Sequence, residues 1–216
     1  DGHRLPHDPF NAIIGPRPIG WISSCTADGA LNLAPYSFFN AFNYTPPIIG
    51  FSSQGRKDSL HNIEATGEFV CNLATFDLAE AMNESCRAVA PEVDEFSLAG
   101  LTPLASTQVR PPRVAQSPVS MECRCTQIVR LRDAAGQDTN GWLVLGEVVA
   151  VHIDARLLVD GIYDTAAADP IPAGWVAKNL QPVGYTDLNG KSASFKMAIK
   201  RAGNGRWYLF VGHFSD

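Results

Sequence analysis

Apolar and polar residues alternate with a period of two along much of the chain, the pattern of strands, and only a few short windows carry helical spacing. Residues 18–26, PIGWISSCT, alternate well enough for a strand, and Asp28-Gly29 supplies a hairpin-turn signal before residues 30–34 return. After the break at Pro46-Pro47, the run IIGFSS reads as a buried strand ending at Ser52-Ser53, and EFVCNLA, residues 68–74, reads as the next. Two long alternating stretches, residues 118–132 and 141–154, are joined by AAGQDTNG and predict a long β-hairpin turning at Asn140-Gly141. SASFKMAIK predicts a last strand, after a mixed helical and loop region that starts at Ala155.

Between these strands, Asp58 or Ser59 is placed to cap a short helix with Leu60 and Ile63 facing inward and Gly67 ending it. A second helix opens at Thr75 or Asp77, with Leu78, Ala81, Met82 and Ser85 on one stripe, and stops before Pro91. Residues 91–118 hold five prolines and no sustained period, so they read as a wandering connection with one short helix near Asp94 to Leu98, a place for lid or rim residues. Six or seven hairpin-connected strands with two or three helices interposed favour a mainly β fold with α decoration, an antiparallel closed barrel rather than a parallel sheet. With no GxGxxG in the chain, a Rossmann dinucleotide site is not expected.

One stretch stands apart from this pattern. NLAPYSFFNAF, residues 32–42, holds three phenylalanines, a tyrosine, a proline and two asparagines, and looks too irregular for helix or strand. Pro35 removes a backbone donor, so the neighbouring N–H groups cannot all be in ladder pairing. Two readings fit it: a buried corner whose aromatics fill the core, or a seat for a flat heteroaromatic ligand with polar edges. A second stretch, SSQGRKDS from Ser52 to Ser59, combines a strand end, Gly55, two cations and hydroxyls close to a helix start. Free N–H groups and the positive end of a helix dipole make such a place suited to an anion, although a solvated turn has the same composition. A planar polar-edged ring on one stretch and a phosphate on the other together describe flavin mononucleotide, FMN.

Composition narrows the class further. The 216 residues suffice for one domain with a full core, and 45% hydrophobic with 18% charged residues is the make-up of an ordinary globular protein. A net charge of −5, with basic residues adjacent only at Arg56-Lys57 and Lys200-Arg201, argues against nucleic acid. No apolar run approaches the roughly 20 residues of a membrane span. The opening DGHRLPHDPF has neither the charged nor the apolar region of a signal peptide, so it reads as an incomplete N-terminus and a cytoplasmic location is the default. The five cysteines show no CxxC, and Cys123 and Cys125, two apart on a strand, are expected on one face in the core. His3 and His7, with Pro6 between them, read as an exposed arm rather than a metal pair.

The succession PRPIGW, NLAPYSFFNAF, PPIIGFSS, RKDSLHNIEATGEFVCNLA, DEFSLAGL, PRVAQSPVSMEC and GEVVAVHID resembles the flavin reductase-like branch of the FMN-binding split barrels, over residues 10–160. The resemblance implies a six-stranded antiparallel Greek-key split β-barrel formed by residues 1–216 as a single domain, with residues 155–216 as a C-terminal extension. It implies a homodimer with FMN at the subunit interface, NAD(P)H as transient substrate, and delivery of reduced flavin or electrons to an acceptor such as a partner monooxygenase. Carried onto this chain, it places Ala34, Ser37 and Phe38 at the ring edge, with Asn32 and Asn40 in support, and Ser52, Ser53, Arg56, Lys57, Asp58 and Ser59 at the phosphate end. His152 falls where the family often has a histidine near the cofactor, while a strand histidine satisfied by its neighbours is the plainer reading. The family often has threonine at Ser59, which keeps the hydroxyl, and an Arg-Gly-Gly-x-Tyr pattern of which QPVGYTD keeps only Gly184 and Tyr185. Flavin chemistry asks the protein to bind the ring, aim donors at its edge and leave one face open. An electron carrier with tightly held FMN, or a flavin-binding module without turnover, would share all these features.

Overall fold

Alternation along GWISSC sends neighbouring side chains to opposite faces, and both faces are covered. Trp21 packs with Leu33, Met82, Phe96 and Val114, whereas Ile22 packs with Phe51, Leu60, Ile63, Phe69 and Val144. Every residue of this strand is therefore buried. The computed structural model describes residues 10–87, 89–90, 93–173, 194–201 and 207–213. A short helix α1 (Phe10–Ile13) and strand β1 (Arg17–Pro18) lead into β2 (Gly20–Cys25), β3 (Leu31–Tyr36), β4 (Phe39–Tyr44) and β5 (Pro47–Gln54). Helix α2 (Asp58–Thr66), β6 (Glu68–Asn72), α3 (Ala79–Glu84), α4 (Glu95–Leu98) and the short strands β7 (Pro103–Leu104) and β8 (Arg113–Val114) follow. They precede the long pair β9 (Val119–Arg132) and β10 (Asp138–Ile153). Residues 177–216 form a second unit, in which Ser194–Arg201 pairs antiparallel with Trp207–His213.

Seven strands make one antiparallel sheet in the order β3-β2-β6-β9-β10-β5-β4. Its two edge strands, β3 and β4, are consecutive in the chain, and the Ser52 N–H donates to the Phe38 carbonyl at 2.8 Å across their junction. The fold is thus mainly β with helical decoration, as the hairpin connectivity predicts. The sheet has seven strands where the resemblance implies six: the run around Pro35 lengthens the strand expected over residues 30–34 into β3 and adds β4. Most of that run is regular strand: Gly20 to Cys25 pair in register with Tyr36 to Leu31, the chain bends at Ser37-Phe38, and β4 shifts register between Ala41 and Asn43. An edge strand tolerates a proline because one of its sides carries no ladder. Close packing between strands also selects residue size, since a Cβ on Gly146 would come within 2.4 Å of the buried Phe69 ring.

Two further expectations are corrected. The β9–β10 turn lies at Asp133–Gln137, where the Asp133 side chain accepts from the N–H groups of Ala135 and Gln137 and Gly136 takes φ 79°. Asn140-Gly141 instead sits inside β10, where the register shifts between Asp138 and Trp142. The N-cap of α2 is Lys57, not Asp58 or Ser59, and no side chain caps this end. Gly67 does end the helix, in the left-handed region at φ 71°, with its N–H on the Ile63 carbonyl. Cys123 is buried and Cys125 partly so, as their spacing predicts. His3, His7, Gly184 and Tyr185 lie outside the described residues.

Candidate functional site

The end of β5 and the start of α2 converge on a small polar corner. With Lys57 in extended backbone and no side-chain cap, the first-turn N–H groups of α2 have no side-chain acceptor among the described residues, and Asp58 is the one acidic side chain of that turn facing the positive end of the helix dipole. Arg56 is already engaged: it pairs with Glu64 and lies over the Trp142 ring at 5.7 Å. Lys57 is exposed and makes no ion pair among the described residues, which leaves its charge available to an incoming anion. Asp58 occupies the first turn and is half-buried.

No cap forms because Lys57, at the N-cap position, carries no acceptor, and Ser59, already inside the helix, is committed elsewhere. Its hydroxyl turns inward and donates to the Asn32 side-chain oxygen at 2.7 Å. The same oxygen accepts from Ser24 at 3.1 Å, and Ser24 accepts from Asn62 at 3.2 Å. The Asn32 amide donates to Glu95 at 3.3 Å, and Glu95 also accepts from the Leu33 N–H at 3.1 Å. Burial pushes the Glu95 carboxyl up, against the pull of the Leu33 N–H and the Asn32 amide. All five side chains are buried, so any one left unpaired would cost about 1–3 kcal/mol. This network locks β2, β3, α2 and α4 together beneath the α2 terminus. Ser53, also buried, donates to the Gly55 carbonyl at 2.9 Å.

The second cluster of site candidates sits at the β3–β4 bend. Ser37 is exposed, Phe38 and Ala34 are partly buried, and exposed Asn40 accepts from the next N–H, that of Ala41, at 2.9 Å. Arg17 binds this bend from the N-terminal side: its Nε donates to the Ser37 carbonyl at 2.9 Å, its guanidinium lies 5.2 Å over the Phe38 ring, and Phe10 meets that ring edge-on at 6.3 Å. Ser52 joins the two clusters through its bond to Phe38, and its hydroxyl accepts from Gln54 at 3.3 Å. Ten of the named residues are thereby gathered on two linked corners, while Asn32 lies underneath as their support.

His152 is not brought together with them. It stands toward the far end of β10 from Trp142, the partner of Ser53, and its Nε2 is 2.5 Å from Glu122. Glu122 is fully buried and also accepts from the N–H groups of Thr107, Gln108 and Val109 and from the Thr107 hydroxyl. Burial acts to raise its carboxyl, but the Thr107 and Gln108 N–H groups, His152 and the Thr107 hydroxyl outweigh it and hold the pKa down to about 2. Glu68 takes the Arg110 N–H and Asn72 the Val114 N–H, so the connection expected to supply a lid is tied down along residues 107–114. Tyr36, Glu95 and Glu122 escaped the sequence reading. Tyr36 lies in an aromatic run and Glu122 in a long alternating strand, neither of which marks a single residue out, and Glu95 looks like an ordinary first-turn acid.

A family model, the flavin reductase like domain, matches residues 15–170. An uncharacterized protein of Aquifex aeolicus is 36% identical over 155 residues, covering 69% of this chain and 76% of that one. Among solved structures, nitrilotriacetate monooxygenase component B from Bacillus cereus superposes with a TM-score of 0.72 at 31% identity, over 79% of this chain and 87% of the other. Pseudomonas fluorescens 2-nitrobenzoate 2-nitroreductase follows at TM-score 0.66 and 25% identity, over 82% and 90% of the two chains.

Proposed function

Because the chain belongs to the flavin reductase-like family, we propose that it is an FMN-dependent oxidoreductase that takes reducing equivalents from NAD(P)H and hands on reduced flavin or electrons. The observation that carries this reading is the uncapped N-terminus of α2 beside the free charge of Lys57, linked by one hydrogen bond to the β3–β4 bend. Its donor set suits FMN: helix N–H groups and an ammonium for a phosphate, and an aromatic bend with backbone polar groups for a planar ring. When bound, FMN would supply the redox chemistry. Of the chain's own residues, Lys57 and the first turn of α2 hold the charged end, with Ser52, Ser53, Arg56, Asp58 and Ser59 around it. Ala34, Ser37 and Phe38 orient the ring, Asn40 shapes the bend, and Asn32 with Glu95 keeps the corner rigid. The similarity to a monooxygenase component B supports an oxygenase as recipient of the reduced flavin.

The test is the absorbance spectrum of the purified protein loaded with FMN, followed by NADH or NADPH under anaerobic conditions. Bleaching of the flavin band within turnover times supports the reductase. A band that persists with both nucleotides while FMN stays bound through dilution would instead identify a carrier reduced by another protein.

We propose also that the active form is a homodimer. Edge strand β4 carries Phe42 at 53% and Tyr44 at 95% exposure, an aromatic edge that a second copy would cover. Light scattering should return twice the 23.3 kDa chain mass, and a monomer mass at micromolar concentration would overturn the assignment.

A further inference from the structure

The hydroxyl of Tyr36 is a buried donor with no hydrogen-bond partner. Tyr36 is 6% exposed, and its ring is held against Phe51 at 4.4 Å between centroids, so the hydroxyl has a defined position. That position is beside Ser53 and Ser59, near Asp58, at the opening turn of α2. Ser59 spends its own proton on Asn32 and Ser53 on Gly55, and neither serine oxygen meets the Tyr36 hydroxyl in hydrogen-bonding geometry. Burial pushes the Tyr36 hydroxyl up, only partly offset by Ser59 and Ser53, so it stays protonated and able to donate. A buried polar group without a partner is destabilising, and folded chains keep one where an acceptor arrives from outside. Phenylalanine in its place would keep every ring contact and remove the unpaired atom.

We propose that Tyr36 is a further anion-binding residue of this site, its hydroxyl donating to the terminal phosphate of the flavin at the N-terminus of α2. The inference rests on the FMN reading above and adds to it a buried side-chain hydroxyl that has no partner in the folded chain. It assigns Tyr36 a share in discriminating phosphorylated from unphosphorylated flavin.

Tyr36→Phe tests this by binding rather than turnover. FMN and riboflavin are titrated by fluorescence against wild type and variant, and the thermal midpoint of the flavin-free proteins is measured with and without inorganic phosphate. The expected result is FMN binding weaker by roughly 10- to 100-fold with riboflavin binding unchanged, since a hydrogen bond to a charged group is lost. The flavin-free variant should melt at or above the wild-type temperature, and phosphate should raise the midpoint of wild type more than that of the variant. Wild type that prefers FMN while Tyr36→Phe changes neither affinity overturns the role of Tyr36 and leaves the phosphate site standing. A variant that melts lower and loses affinity for both flavins equally shows a structural hydroxyl and also overturns it. Wild type that binds the two flavins alike overturns the FMN reading itself, and the inference with it.

Discussion

Glu122→Gln is expected to lower stability by about 3 kcal/mol, the largest effect of any conservative change at a polar residue of this protein. The carboxylate accepts three N–H groups, a hydroxyl and the His152 ring, all converging on a side chain with no solvent exposure. An amide of the same shape presents one acceptor and turns N–H toward N–H at the other. The loop that would lose its anchor is the one holding Thr107 to Val109. For a chain of this size the loss corresponds to a drop in thermal midpoint of about 6–12 °C. His152→Ala should cost less, because the three backbone donors stay paired.

The pH dependence has a definite sign. The folded carboxyl is held at about 2, below its ordinary value of 4.5, so its contribution to stability is complete above pH about 4.5 and is lost as the pH falls toward about 2. Urea unfolding at several pH values should show the gap between wild type and Glu122→Gln closing over that interval. A gap independent of pH, or a variant as stable as wild type at neutral pH, would sink this account of the loop.

Lys57→Ala is expected to weaken FMN binding by roughly 10- to 100-fold and to leave riboflavin nearly untouched, because only FMN brings a charge to the α2 terminus. Arg56→Ala should have the smaller effect, since Arg56 is engaged by Glu64 and rests on Trp142. Ser59→Ala acts differently: it removes the bond to Asn32 and loosens the corner from beneath. Raising the salt concentration should shrink the effect of Lys57→Ala, as expected of an exposed charge. Isothermal titration of both flavins against the variants decides the matter. Equal losses for FMN and riboflavin in Lys57→Ala would remove the phosphate from this corner.

Much of this was legible in the chain itself. Period-two alternation marked the strands, Asp28-Gly29 the first hairpin, Gly67 the end of α2, and Asp94 the start of α4, where its side chain accepts from Phe96. These are local matters, decided by backbone conformations and by hydrogen bonds between residues a few positions apart. The two stretches that carry the proposed site were likewise visible as unusual composition. Where local signals competed, the chain alone misled: Asn140-Gly141 has the chemistry of a turn, yet Asp133 closes the hairpin earlier with two side-chain bonds.

Only the tertiary structure decided which polar residues are spent on the fold and which remain for a ligand. Ser59 has the spacing of a helix cap but turns to Asn32, 27 residues away, and Arg56 has the look of a phosphate ligand but meets Glu64. His152 reads as a strand histidine satisfied by its neighbours, and only the fold shows that the neighbour is Glu122, while Tyr36 reads as core and its hydroxyl has no partner. Alternation determines the face on which a side chain lies, because it depends on the residue's own backbone. The partner it finds there is set by strands and helices brought together from distant parts of the chain, and no local pattern encodes that meeting.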